Sequence, residues 1–344
     1  MSEVHCFHIQ EGRGIRRMAS PKAAFAARSE GGYVWLDFLD PVRADLEAIA
    51  PVLDIHPLTV EDCLDEDQIP KIEAFATHTF IIFNEYAYED KRLTVEEWDF
   101  LVGQQFLVTV SGHQAPGHGT FEKIEASAQR LLKSVEKGPD HLLHLILDRI
   151  VDGKLLPIET LEADIEAAEE GMLRTVAGFK LEDLVLLRHA LLAMRKSLFH
   201  EREILMKVCR MDSPFISEPA IFHFRDIYDH LVRYFELCEM NRDILTSLME
   251  MYLSLINNRL ADFANRTNSH VRRLTLITTI LMPMSLVSGI GGMSEWSMMT
   301  GPEHWRVAYP GLLAAMGLLG WGTYRFVKWI ELRDLRREKR PFLK

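Results

Sequence analysis

Toward the end of this 344-residue chain, 21 consecutive residues from Leu274 to Ser294 carry no charge, and 18 more from Val307 to Tyr324 carry none either. A helix needs about 20 apolar residues to cross the hydrocarbon of a bilayer. Two such stretches, separated by only a short loop, predict a helical hairpin through a membrane. A buried hairpin in a soluble core is the competing reading, and it fits less well so near the end of a chain. Gly311, Gly317, Gly320 and Gly322 in the second stretch suit close packing between membrane helices.

The mean hydropathy of −0.03 conceals these stretches because the rest of the chain is polar. Residues 266–344 hold 12 Lys+Arg against 5 Asp+Glu, whereas residues 1–265 hold 27 against 45. An acidic body joined to a basic, apolar tail excludes a nucleic-acid binder. Arg266, Arg272 and Arg273 precede the first stretch. Arg325, Lys328, Arg333, Arg336, Arg337, Lys339, Arg340 and Lys344 follow the second. Positive flanks face the cytoplasm, so both termini are expected inside and the short loop outside, in a multi-pass protein of the cell (inner) membrane. Trp296, Trp305, Trp321 and Trp329 stand near the span ends, as an aromatic belt requires. Cys6, Cys63, Cys209 and Cys238 form no CxxC pair and read as free thiols of a reducing compartment. The opening residues, Met1 to Cys6, have neither the basic nor the apolar region of a signal peptide.

Short strand-like runs, Tyr33–Leu36, Thr79–Phe83 and Gln105–Val110, alternate with helical stretches such as 41–66. That pattern predicts an α/β N-terminal soluble domain. Ser111 to Gly119 is a loop by composition. Farther on there is no glycine between Lys180 and Ser288 and no proline between Pro219 and Pro283. Apolar residues recur there at helical spacing, through Leu231, Phe235, Cys238, Leu245, Met249, Tyr252, Ile256, Leu260 and Phe263. A continuous helix over about 220–290 would be about 105 Å long. The simplest account is a stalk that becomes the first membrane span. The expected segments are 1–135 (α/β domain), 136–273 (helical region with the stalk), 274–293 (first span), 294–306 (outer loop), 307–325 (second span) and 326–344 (basic tail).

One face of the long helix reads Asn268, Val271, Thr275, Thr278, Met282, Ser285, Gly289, Gly292. A small, hydroxyl-rich stripe on an aliphatic span has two readings: a helix-packing seam, or the lining of an aqueous pore built by several copies. Spacing alone leaves both open. Neither span holds a charge, so any ion there meets carbonyls, hydroxyls and retained water.

The stretch from Tyr252 through Asn258, Leu274-Thr275, Pro283, Ser288-Gly289 and Gly292-Met293-Ser294 resembles the CorA superfamily of divalent metal cation transporters. So do His56-Pro57-Leu58-Thr59-Val60-Glu61-Asp62, Pro70-Lys71-Ile72-Glu73, the run Leu145 to Asp152, and the run Arg225 to Leu231. These fall in the family's order and cover nearly the whole chain. The resemblance implies a funnel-shaped homopentamer in which five copies of the long helix line a pore, with the second span as an outer ring. It implies an outer selectivity filter at Gly292, Met293 and Ser294. Ser294 stands where the family has asparagine, and a ring of five hydroxyls would be wider and would grip a hydrated ion less well. The expected cargo is Mg2+, with Co2+ or Ni2+ as surrogates, ahead of Zn2+ transport of the ZntB type. A non-conducting scaffold of the same fold is a further alternative. The partners expected are four further copies of the chain, the lipid bilayer and the divalent ion, with no resident cofactor.

Glu295 and Glu303 in the outer loop read either as carboxylate rings at the pore mouth or as a solvated polar loop. Glu61, Asp62 and Asp65, with Asp226 and Asp229 on the stalk, are candidates for a regulatory cation; a solvated acidic surface is their plainer reading. His141, His144 and Asp148, and separately His223, Asp226 and His230, share helix faces at spacings that suit Zn2+. Core or interface histidines make up most such patterns. No nucleophile elbow, Walker loop, GxGxxG or HExxH is present, so an enzyme is not expected.

Overall fold

The computed structural model describes residues 3–65, 68–112, 120–174, 179–292, 301 and 303–338. It divides into two units, Met1–Tyr252 and Leu253–Lys344.

The first unit is built on a seven-stranded sheet in the order β2-β1-β3-β7-β6-β5-β4. Its strands are β1 (Glu3–Gln10), β2 (Gly14–Met18), β3 (Tyr33–Leu39), β4 (Ile72–Ala74), β5 (His78–Glu89), β6 (Arg92–Gly103) and β7 (Phe106–Ser111). Only β3 and β7 run parallel, with Val34 opposite Phe106 and Leu39 opposite Ser111; every other pair is antiparallel. A parallel pair needs a long crossover, and the β5–β6 hairpin lies within it. That hairpin turns on Asp90 and Lys91 at φ 50° and 63°. Two positive φ values in a two-residue loop match the right-handed twist of the strands.

Helices cover the sheet. Val34, Leu36 and Phe38 of β3 share a core with Ala24 of α1 (Pro21–Ala27), Leu46, Ile49 and Leu53 of α2 (Arg43–Leu53), and Val60 of α3 (Pro57–Asp62). The intervening Tyr33, Trp35 and Asp37 are buried too. Successive side chains of a strand alternate between faces, so both faces of β3 are covered and the run reads as apolar without alternation. Two short helices, α4 (Thr120–Arg130) and α5 (Leu132–Val135), lead into α6 (Pro139–Gly153), which lies over β3, β5, β6 and β7. Its first turn holds Pro139, whose missing N–H costs nothing there. The next helices, α7 (Leu155–Arg174) and α8 (Leu181–Cys209), pack together and against the β5–β6 hairpin.

The helical stretch expected over 41–66 is two helices. Asp54 takes the left-handed conformation at φ 52° and caps α2, and His56 Nδ1 accepts from Leu58 N–H to start α3 at Pro57.

The long helix is present: α9 spans Glu218–Gly291, 74 residues, and Pro283 lies inside it. In the first unit it buries Phe224, Ile227, Leu231, Tyr234, Cys238, Asn241, Leu245 and Leu248 at spacings of three and four. From Met249 onward no described residue is buried. The last helix, α10 (Trp305–Glu338), runs through the second uncharged stretch and on into the basic tail. Among the described residues one helix, α9, is long and apolar enough to cross a membrane. In α10 the apolar character is diluted by Pro310, four glycines, Tyr309, Trp321 and Tyr324.

Candidate functional site

The second unit is a pair of helices, and its contacts divide α9 into two faces. Leu276, Ile280, Pro283, Met284, Val287 and Gly291 are half-buried. Two of these touch α10: a Cβ on Gly291 would lie 2.7 Å from Leu312 Cδ2, and a Cβ on Gly320 would lie 3.2 Å from Met284 Sδ. Gly291 meeting Leu312 and Met284 meeting Gly320 make the pair antiparallel. Of the four glycines expected to serve helix packing, only Gly320 meets α9; Gly311, Gly317 and Gly322 face open space.

Asn268, Val271, Thr275, Thr278, Met282, Ser285 and Gly289 are all exposed, with Met282 at 73% and Val271 at 55%. At about 100° per residue, the centre of this stripe lies roughly half a turn around α9 from the row that meets α10. The stripe is therefore not the seam between these two helices. Its threonines are tied to the backbone: the hydroxyl of Thr275 donates to Val271 O at 2.9 Å, and that of Thr278 to Leu274 O at 2.9 Å. Gly292 is the last described residue of the run, its N–H donating to Ser288 O at 3.0 Å. Met293, Ser294, Glu295 and Trp296 lie outside the described residues. Glu303 is exposed just before α10.

Past the second uncharged stretch, Arg325 stands over the ring of Trp321 at 5.5 Å and Lys328 over that of Tyr324 at 5.8 Å. Cation and aromatic side chains paired in this way suit the headgroup level of a bilayer.

The acidic candidates are scattered. Asp62 accepts from Lys71 Nζ at 2.7 Å and from Gln68 Nε2 at 3.4 Å. Glu61 and Asp65 are exposed beside it, and Asp226 and Asp229 are exposed on α9. Among the described residues no three His, Cys, Asp or Glu side chains are grouped so as to hold a metal ion. Glu66 and Asp67 lie outside the described residues, as does the run 113–119.

Two charged sites escaped the sequence reading. Lys154 and Glu201 are fully buried and paired at 2.5 Å, and Lys154 stands 4.4 Å from the centre of the Tyr86 ring. Burial pushes the lysine down, and Glu201 partly offsets that. Near Asp62, the buried carboxyl of Asp99 is pushed far up, by burial first and by Glu97 beside it second. Lys154 and Glu201 stand too far apart in the chain for periodicity to reveal the pair; Glu97 and Asp99 share a face of β6 at strand spacing, but nothing in their sequence marks them as buried.

The profile of the family described as CorA-like Mg2+ transporter protein matches residues 30–328. The cobalt/magnesium transport protein CorA of Thermotoga maritima is 27% identical over 322 residues, covering 92% of this chain and 88% of that protein. Among solved structures, the complete CorA magnesium transporter of Methanocaldococcus jannaschii aligns with a TM-score of 0.68 at 22% identity, over 94% of this chain and 96% of the other. The ZntB cytoplasmic domain of Vibrio parahaemolyticus aligns with a TM-score of 0.57 at 12% identity, over 74% of this chain and 98% of the other. At those identities the two structural likenesses show the fold.

Proposed function

This chain belongs to the family of CorA-like Mg2+ transporter proteins, and from that premise we propose that it carries divalent metal cations across a membrane, Mg2+ ahead of Zn2+, with Co2+ and Ni2+ as surrogates. The observation that carries the proposal is the exposed stripe of α9 on the side away from α10. A single chain offers one such face, and one face encloses nothing. Several copies are needed, and the family resemblance supports five. Thr275, Thr278, Met282, Ser285 and Gly289 then line the path, Gly292, Met293 and Ser294 form the outer filter, and Glu295 and Glu303 ring its mouth. In this reading α10 is the second span and both termini are cytoplasmic. The large apolar surface that α9 and α10 expose supports it: Leu274, Leu286, Val307, Leu313 and Leu318 are each at least 66% exposed. Apolar surface left in water forgoes about 25 cal/mol per Å2, and lipid removes that penalty.

Ser285→Leu tests the proposal by adding bulk five times around one ring. Mg2+ flux into proteoliposomes should fall at least tenfold while the assembly keeps its size. Unchanged flux in a correctly assembled variant would show the stripe to be a seam between copies. The Zn2+ reading rests on Ser294, whose hydroxyl offers weaker contacts to a hydrated ion than an asparagine amide. Mg2+ sheds water reluctantly, so Ser294→Asn should raise Mg2+ competition against Zn2+ severalfold, as one added hydrogen bond of about 0.5–1.5 kcal/mol allows.

A further inference from the structure

Three imidazoles meet where α6 faces the first turns of α9, and the transport reading makes no use of them. His144 lies 5.0 Å from His223, ring centre to ring centre, and His141 lies 6.1 Å from His223. His141 is buried and engaged through Nδ1 with Asp140 Oδ1 at 3.1 Å. His144 is half-buried, edge-on to Phe224, and His223 is exposed. Among the described residues neither His144 nor His223 has a hydrogen-bond partner for its ring. Each is followed one turn later by a carboxylate on its own helix: Asp148 four residues after His144, Asp226 three after His223. The four groups feel one another. Asp226 and His223 act electrostatically on His144, and the same two act on Asp148.

The chemistry suits a metal ion. Imidazole nitrogen and carboxylate oxygen are the donors that Zn2+ and Co2+ take. Two imidazoles sharing one ion at metal–nitrogen distances of about 2.0–2.1 Å, near the tetrahedral angle, hold their ring centres about 5 Å apart. Among the described residues no three donors surround one point; the two rings lie at a compatible separation, and ligation requires Asp148 and Asp226 to turn toward them.

We propose that His144 and His223 anchor a transition-metal site that ties α6 to α9, with Asp148 and Asp226 as the carboxylate ligands. Nitrogen ligands suit Zn2+, Co2+ and Ni2+ and disfavour Mg2+. The site is thus chemically distinct from an oxygen-lined pore, and it stands whether or not the chain conducts.

Co2+ added to the untagged full-length protein in detergent, with Mg2+ in large excess, tests it. Four-coordinate, histidine-ligated Co2+ absorbs visible light far more strongly than the six-coordinate hydrated ion held by a pore. An intense spectrum should saturate at one Co2+ per chain, be displaced by Zn2+, and survive the Mg2+. It should vanish in His144→Gln and in His223→Gln, weaken at least tenfold in affinity in Asp226→Asn, and persist in His230→Gln. His223 is exposed, so His223→Gln keeps the fold and carries the test even if the half-buried position does not tolerate change. Only the weak spectrum of hydrated Co2+, or an intense one unaltered in His223→Gln, would overturn the site.

Discussion

Asp140 accepts from the Ser217 hydroxyl at 2.5 Å, from the Ser217 N–H at 3.0 Å, and from His141. Burial alone would push this carboxyl up; these donors outweigh burial and bring it down to about 2. A carboxyl held below its unfolded value of about 3.8 lends stability that is complete above that value and is lost as pH falls through the folded one. Asp140→Asn should therefore destabilise the chain by about 1.5–3 kcal/mol near neutral pH. The gap to wild type should close between about pH 4 and pH 2. Denaturant melts across that range check it, and a gap independent of pH would mean that shape rather than charge matters at the site. Lys154 behaves differently. Glu201, its buried partner, also accepts the Asn84 N–H at 3.0 Å and the Ser197 hydroxyl at 3.2 Å. Lys154→Met leaves that carboxylate buried without its cation and should cost about 3–5 kcal/mol. Lys154→Met with Glu201→Leu should recover most of the loss, measured by the same melts. Partners so far apart in the chain, 154 with 201 and 140 with 217, leave no trace in periodicity, so neither network was legible beforehand.

At the level of elements, α9 was legible almost to its ends because its evidence is local. A run without glycine or proline and with apolar residues three and four apart has few alternatives to a helix. The break inside 41–66 was not seen, since it rests on one aspartate adopting a left-handed conformation. The order of the seven strands was equally hidden, because the β3–β7 pairing depends on a crossover rather than on either strand's residues. The α9–α10 pairing was expected from the two uncharged stretches, but not which glycines would serve it. Gly291 and Gly317 separate contact from composition. Gly291→Leu drives a side chain into Leu312, whereas Gly317→Leu points into open space. With cysteines placed at Met284 and Gly320, a bifunctional thiol reagent should cross-link the helices in the Gly317→Leu background and several-fold less in Gly291→Leu. Equal yields would show that the contact between Gly291 and Leu312 does not hold the pair together.

For the whole molecule, one pair of helices encloses no pore, so the proposed transport requires assembly. A mass of about 200 kDa by native mass spectrometry is expected for a closed ring of five, given 39.6 kDa per chain; a monomer or dimer would remove the pore. A cysteine at Thr300 should react with an impermeant reagent on intact cells and one at Glu338 should not. The stripe was legible in the sequence as a pattern, whereas its separation from α10 needed coordinates. In the proposed assembly, with five copies facing a common axis, the threonines of that stripe have one more consequence. Thr275 and Thr278 each direct their only hydroxyl proton back to the carbonyl one turn before. What each oxygen then offers inward is lone pairs and no proton. Water in such a ring is turned hydrogens-outward, toward the wall, which leaves its own oxygens for a cation. An anion at the same level finds no donor to replace its hydration. The lining can thus reject one sign of charge while carrying no formal charge itself.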